Sequence, residues 1–379
     1  MIRLPQADNA GAVRPPLVRV AGGRTELGFS QLGTTGLIER GPMSETTENR
    51  ALENRATPDA KTQLDIYRRM IRIERNDDAT RTQIRRGRIT APYYSARGQE
   101  CIPSAISVLL HNDDKICTIY RGIHDMVAKD MPLRPLWAEI CGRVDGTCKG
   151  KGGPMHLTHP ETGVMVTTGI VGSSMPIANG FGWAALLDGT KQVTVAYFGD
   201  GASNIGAFHE ALNLASVWKL PVIFVCQNNG FAEHTRYENG TSVDQISKRA
   251  IGYGMPGYTV DGNDPVDVYA HAHAAIERAR AGEGPTLLEC KTFRFMGHVF
   301  GDADGYMTKE EKAEAIARDP LPKFRQKLID DGIATAEELD ALTAKVEAEV
   351  NDAIEFAMAC EYPSDDELRR DVFAEEIPA

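Results

Sequence analysis

GDGASNIGAFHEALNLASVWKLPVIFVCQNNG, residues 199–230, decides the fold. The stretch follows one apolar run, QVTVAYF ending at Phe198, passes through a helical pattern from Ser203 to Trp218, and contains a second apolar run, PVIFVCQ ending at Gln227. Unalternating, β-branched runs linked by a helix read as strands buried on both faces of a parallel sheet. One β-α-β unit then separates Asp200 from Asn229, so both side chains emerge at the carboxyl edge of adjacent parallel strands, where such sheets bind ligands. A carboxylate and an amide oxygen there form a hard-oxygen site suited to Mg²⁺, which keeps few protein ligands and completes its shell with phosphate oxygens and water. The glycines flanking Asp200 permit a tight turn, and the helix N-terminus beyond can receive a diphosphate. GDG alone would be an ordinary strand-to-helix turn. The pair Asn228-Asn229 at this spacing turns the reading towards a metal-diphosphate site.

The same grammar extends outward. KICTIY ending at Tyr120 and PTLLECKTF ending at Phe293 are further strands, and Pro176 to Leu187 and Pro265 to Ala281 are helical. The fold class is α/β, a doubly wound parallel sheet. Upstream, LDIYRRMIRIERNDDATRTQIRRG (64–87) sets Leu64, Tyr67, Ile71 and Ile73 near one face and arginines on the other, which predicts a surface amphipathic helix. A second helix is expected at Gln99 to His111. After the sheet come the loop GHVFGDADGYMTKEEK (297–312) and a helical tail from Pro322 to about Ala359, whose Glu337, Glu338, Asp340, Lys345, Glu347 and Glu349 read as a solvated face. Three regions follow: a flexible Gly/Pro/Arg-rich extension (1–60), an α/β domain (61–320) and a helical tail (321–379) packing on that domain and on a partner subunit.

The balance of 42 basic against 53 acidic residues among 379 gives a net charge of −11, with 42% apolar and 25% charged residues. That composition fits a soluble globular chain and argues against nucleic acid or an anionic membrane surface as partner. No apolar run approaches the roughly 18 to 20 residues of a membrane span. The N-terminus, with Asp8 and Glu26 among its arginines and no apolar core, suits neither a secretory signal nor a transit peptide, so a cytoplasmic location is expected. Seven cysteines with no CxxC spacing read as reduced core thiols.

GDG followed about thirty residues later by NN resembles the thiamine-diphosphate-binding motif. The resemblance continues from about Lys61 to Glu375 through RGQE (97–100), YRG (120–122), CKGKGGPMH (148–156), GIVGSSMPIANG (169–180) and KTFRFMGH (291–298). These segments look like the α subunit of the thiamine-dependent first component of 2-oxo acid and acetoin dehydrogenase complexes. FHEALNLASVWKLPVIFV, YGMPG and GHVFGD look most like acetoin dehydrogenase α subunits. The resemblance implies that Asp200, Asn229 and the backbone oxygen of Phe231 bind Mg²⁺ and that Gly201 and Ala202 bind the diphosphate. Tyr120 and Arg121 would contact the cofactor phosphate, Arg121 through its fixed fork of donors; the other reading of Arg121 is a surface salt bridge. Gly169 and Val171 would line the aminopyrimidine pocket, and His298, in a mobile loop, would serve as acid-base or transition-state-stabilising residue.

The implied chemistry is cleavage of acetoin or decarboxylation of a 2-oxo acid, with the acyl group passed to a lipoyl-bearing acyltransferase. The activating glutamate of this family belongs to a β subunit, so the chain is expected to work in an α₂β₂ assembly. Glu210, on the helix leaving the diphosphate site, reads as structural. Departures bear on the substrate: Tyr94 stands where a substrate-approaching histidine is common, His124 is displaced by one place, and Met307 replaces an arginine. They suggest a substrate bulkier or less anionic than pyruvate. Val299 and Gly305 occupy the places of two phosphorylated serines, so that control should be absent. Of the rivals, a nicotinamide-dependent dehydrogenase fails its GxGxxG fingerprint, since Asn204 takes the third position. Lys149-Gly150-Lys151-Gly152-Gly153 looks phosphate-friendly but lacks P-loop spacing. A non-catalytic scaffold that binds cofactor without turnover remains, motivated by Tyr94 and Met307.

Overall fold

The computed structural model describes residues 56–372, so residues 1–55 of the expected extension lie outside the described part. Helix α1 (Ala60–Arg85), capped by Asp59, precedes α2 (Cys101–Ser107) and strand β1 (Lys115–Ile119). Then come α3 (Ile123–Ala128), α4 (Leu133–Ile140), β2 (Val164–Thr168), α5 (Ser174–Leu187) and β3 (Thr194–Gly199). A 3₁₀ turn over Asp200–Asn204 leads into α6 (Gly206–Trp218) and β4 (Val222–Asn228). A two-stranded hairpin, β5 (Phe231–Ala232) and β6 (Thr235–Arg236), and the single turn α7 (Tyr237–Gly240) follow. The chain continues through β7 (Gly257–Asp261), α8 (Pro265–Arg280), β8 (Thr286–Lys291), α9 (Lys309–Ala317), α10 (Pro320–Asp330) and α11 (Ala336–Ala359).

The main sheet runs β2-β1-β3-β4-β8-β7 and all its pairs are parallel. Alternate residues of each central strand enter different cores. Val195 and Tyr197 join one cluster with Ile223, Val225 and Leu288, while Ala196 and Phe198 join the other with Val222, Phe224 and Leu287. Burial on both faces is why these strands read as unbroken apolar runs. Two strands have no such run: β2 (VMVTT) and β7 (GYTVD) are the sheet edges, less completely buried than the central strands and partly polar, and the apolar pattern misses them. The strand order also differs from the 3-2-1-4-5-6 order of dinucleotide-binding sheets, which disposes of the nicotinamide rival on topology as well as sequence.

Helix α1 is not the surface helix expected from its pattern. Arg69, Arg72 and Arg81 are buried along with its apolar residues, because the helix packs against α2, α3, α10 and α11. Periodicity marks arginine as outward, yet a guanidinium can be buried when every donor finds an acceptor. Arg72 donates to the carbonyls of Val127 (2.8 Å) and Met131 (3.0 Å) and to Glu349 (2.7 Å) on α11. Arg72→Met takes the Arg72 donor from the Met131 carbonyl, leaves the Val127 carbonyl only its bond from the Asp130 N–H, and removes Glu349's partner, which should cost about 2 kcal/mol in a urea denaturation curve; a change under about 0.5 kcal/mol would mean these bonds contribute nothing net.

The phosphate-friendly glycine loop is already occupied. The buried Glu139 carboxylate accepts from the backbone N–H groups of Cys148 (2.7 Å), Gly150 (2.9 Å), Gly152 (2.7 Å) and Gly153 (3.1 Å). This nest holds an anion from its own chain, which closes it to a ligand. All seven cysteines are unpaired; Cys101, Cys117, Cys226 and Cys290 are buried, while Cys141, Cys148 and Cys360 are only partly so. Among the described residues, no helix is long and apolar enough to cross a membrane.

Candidate active site

The carboxyl ends of β1, β2, β3, β4 and β8 open on one cavity of about 400 Å³. Tyr94, Tyr120, Arg121, Gly169, Val171, Asp200, Gly201, Ala202, Asn229, Phe231 and His298 all line it. These residues come from six separate stretches of chain. Parallel pairing of β3 with β4 sets Gly199 opposite Gln227, so Asp200 and Asn229 project from neighbouring strand ends.

Asp200 is 2% exposed, and no other described residue donates a hydrogen bond to its carboxylate. Burial pushes its carboxyl up to about 6, against the pull of Arg294, Lys291 and Arg121. Asn229 is fixed from both ends: its Nδ2 donates to Gln99 Oε1 at 3.0 Å, and its Oδ1 accepts from the Phe231 N–H at 3.2 Å. One lone pair of that oxygen stays free for a cation. The neighbouring Asn228 has a different task, tying β4 to Glu289 of β8 at 2.7 Å. At Gly201 a Cβ would stand 2.6 Å from the Ala232 Cβ, so only glycine lets the turn after β3 lie against the hairpin.

Arg121 is 4% exposed and has no carboxylate partner among the described residues, which overturns the surface salt-bridge reading. It donates instead to the carbonyls of Ser95 (2.6 Å) and His298 (3.0 Å), and burial beside Arg294 lowers its pKa to about 10. Arg294 went unassigned at the level of sequence. Although KTFRFMGH places it three residues after Lys291, the end of the last strand, an arginine there reads as surface charge. In the structure it is 1% exposed, donates to Tyr306 Oη (2.8 Å) and the Glu233 carbonyl, and leaves Nε without a partner. Neither buried guanidinium has a carboxylate in ion-pair contact among the described residues, although Asp200 lies close enough to pull on both; such burial is costly unless a further anion arrives, and a diphosphate supplies that charge.

His298 receives Arg121 Nη2 at 3.4 Å and Arg294 Nη1 at 3.3 Å on its Nδ1. Guanidinium can only donate, so Nδ1 carries the lone pair and the ring proton sits on Nε2. Burial and the two arginines lower its pKa to about 4, which makes it neutral near pH 7. The ring packs edge-on against Tyr94 (5.3 Å) and Tyr120 (5.9 Å). Its loop is cross-braced within itself: the His298 N–H donates to Asp302 (2.7 Å), Tyr306 Oη donates to Asp302 (2.7 Å) and Lys312 pairs with Asp304 (2.6 Å). The displaced His124 does not enter the cavity. It is fully buried between the Arg121 carbonyl (3.0 Å) and Gln227 Oε1 (3.1 Å). Met307 is buried outside the lining, and Glu210 faces solvent on α6.

A hard-oxygen pair, two unpaired guanidiniums and a glycine cradle, converging at the carboxyl edge of a parallel sheet, define a diphosphate-binding α/β protein. The chain belongs to the dehydrogenase E1 component family, whose model matches residues 68–365. The α subunit of acetoin:2,6-dichlorophenolindophenol oxidoreductase from Bacillus subtilis (strain 168) is 40% identical over 309 residues, covering 81% of this chain and 92% of the relative. The corresponding subunit from Cupriavidus necator is 40% identical over 316 residues, 83% of this chain and 95% of the relative. The pyruvate dehydrogenase E1 component subunit α of Porphyra purpurea is 33% identical over 319 residues, 82% and 93%. The chain is thus a dehydrogenase component, and its family implies thiamine diphosphate as cofactor. The residues present fit that group: two guanidiniums, Arg121 and Arg294, and two hard-oxygen side chains, Asp200 and Asn229, line the same cavity.

Proposed function

We propose that this chain is the diphosphate-binding α subunit of a dehydrogenase that cleaves acetoin or decarboxylates a 2-oxo acid and passes the acyl group to a lipoyl-bearing acyltransferase. The observation that carries the reading is the convergence of Asp200, Asn229, Arg121 and Arg294 on one cavity. Thiamine diphosphate, when bound, supplies a carbanion and an electron sink. The chain's own residues hold and orient it. Asp200, Asn229 and the Phe231 carbonyl would hold Mg²⁺, while Arg121, Arg294 and the backbone at Gly201 and Ala202 would hold the diphosphate. His298 presents a neutral Nε2–H donor to the substrate carbonyl, a stabilising role in keeping with its low pKa. Tyr94 borders the substrate.

The activating glutamate comes from a β subunit, and the working unit is an α₂β₂ assembly in the cytoplasm. Within the described residues, 61–320 form the diphosphate-binding domain and the helical segment from 321 to 359 also packs on the partner. Co-expression with the β subunit, followed by dye reduction with acetoin, pyruvate and larger diketones, tests the function. No turnover with any of them while the cofactor still binds would make the chain a scaffold.

A pH dependence follows from Asp200. A cation needs the carboxylate, so protons compete below the carboxyl's pKa of about 6. Mg²⁺-dependent cofactor affinity, measured by calorimetry from pH 5 to 8, should fall as pH drops through 6, more steeply in the wild type than in Asp200→Asn. Equal slopes would remove Asp200 from the site.

A further inference from the structure

We infer that Glu233 is a specificity-determining residue that disfavours anionic substrates, so that the site takes an uncharged acyloin or diketone in preference to a 2-oxo carboxylate. This rests on the functional reading above and narrows its substrate class. Glu233 lines the cavity, and its side chain is exposed there. It occupies the first position of the two-residue turn between β5 and β6, with φ at +53°. Glycine, asparagine or aspartate is the ordinary choice for such a turn, and a longer side chain held in the left-handed region marks a place where function outweighs backbone preference. Arg294 holds the turn in place through the Glu233 carbonyl. The carboxylate itself makes no hydrogen bond or ion pair with any described residue, which leaves its charge unneutralised at the cavity lining.

The charges around it favour the same reading. Tyr94, Tyr120, His298 and Glu233 share the cavity wall, and His298 is neutral near pH 7. Burial raises the pKa of the Tyr120 phenol, and Glu233 adds a smaller push in the same direction, so its field reaches this wall. The cations, Arg121 and Arg294, are nearly fully buried and are matched by the diphosphate. A substrate carboxylate would meet one negative charge and aromatic rings, with no free cation among the described lining residues to receive it. An acyloin offers a carbonyl to His298 Nε2–H and a hydroxyl that Glu233 can accept from.

The test uses the complex with its β subunit and measures kcat/KM for acetoin and for pyruvate. Removing one like charge at this range should raise the pyruvate-to-acetoin ratio about tenfold in Glu233→Gln, and further in Glu233→Lys. Glu233→Gly guards against misfolding, since it also relieves the backbone and should raise the melting temperature while raising the ratio. A ratio that stays constant or falls in all three variants overturns the inference, as does a wild-type complex that prefers pyruvate. Turnover of neither substrate by the wild type is a different failure: it sinks the functional reading itself, and the substrate class with it.

Discussion

Asp200→Ala should weaken Mg²⁺-dependent binding of thiamine diphosphate by at least about 100-fold, since groups that merely support a metal ligand are already worth roughly 10- to 100-fold. The variant carries a second, opposite consequence. In the absence of ligand, burial holds the Asp200 carboxyl at about 6 against an ordinary 3.8. A raised carboxyl pKa means the folded state binds the proton more tightly, so stability is full below the ordinary value and is lost as pH rises through 6. At pH 7.5 the ligand-free wild type therefore bears the whole penalty, on the order of 3 kcal/mol. Removing the carboxylate should raise the ligand-free melting temperature and lower the saturated one. Calorimetry and thermal melts with and without Mg²⁺ and cofactor check both signs. Unaltered affinity would show that the cation sits elsewhere, and a destabilised ligand-free variant would show Asp200 to be structural.

Arg294→Met should cost the cofactor about as much. The substitution removes one of two buried positive charges and three contacts: to Tyr306, to the Glu233 carbonyl and to His298 Nδ1. Truncating one side of a buried charge pair typically costs 2–5 kcal/mol, so a loss of about 100-fold is expected. Arg294→Lys should recover only part, because an ammonium cannot reproduce the planar fork that braces His298 and the hairpin together. The electrostatic share has its own readout. With Arg294 gone, His298 loses one of the charges that hold it down at about 4, and an NMR titration should find its pKa higher. Cofactor affinity within threefold of wild type, with His298 unmoved, would refute the assignment.

The two variants differ in what they say about the site. Asp200 tests a residue whose role could be reasoned from a strand, a turn and a spacing. Arg294 tests one whose role exists only because β8 lies beside β4, with its end on the same cavity as the end of β1. Nothing within KTFRFMGH distinguishes this arginine from a solvated one. One partner, Glu233, lies on the distant β5–β6 turn, and the cost of the arginine's burial becomes visible only when no carboxylate is found in ion-pair contact with it among the described residues.

Sequence by itself determined the central sheet and the carboxyl edge. Strands buried on both faces must be apolar throughout, so β1, β3, β4 and β8 are written in runs that local chemistry can read. The β-α-β spacing then sets Asp200 beside Asn229, since a right-handed parallel crossover has one outcome. Only the tertiary structure decided the rest. The edge strands β2 and β7 carry no apolar run because one side of each meets solvent or loops. The arginines of α1 are buried because acceptors far away in the chain reach them, Glu349 among them. The glycine loop at 148–153 is closed to phosphate because Glu139, from another helix, fills it. The protonation of His298, the charge of the cavity and the exposure of Glu233 at its mouth depend on which groups are brought together from six parts of the chain. Local patterning encodes what a residue is hidden from; it does not encode what a charged group will find when it gets there.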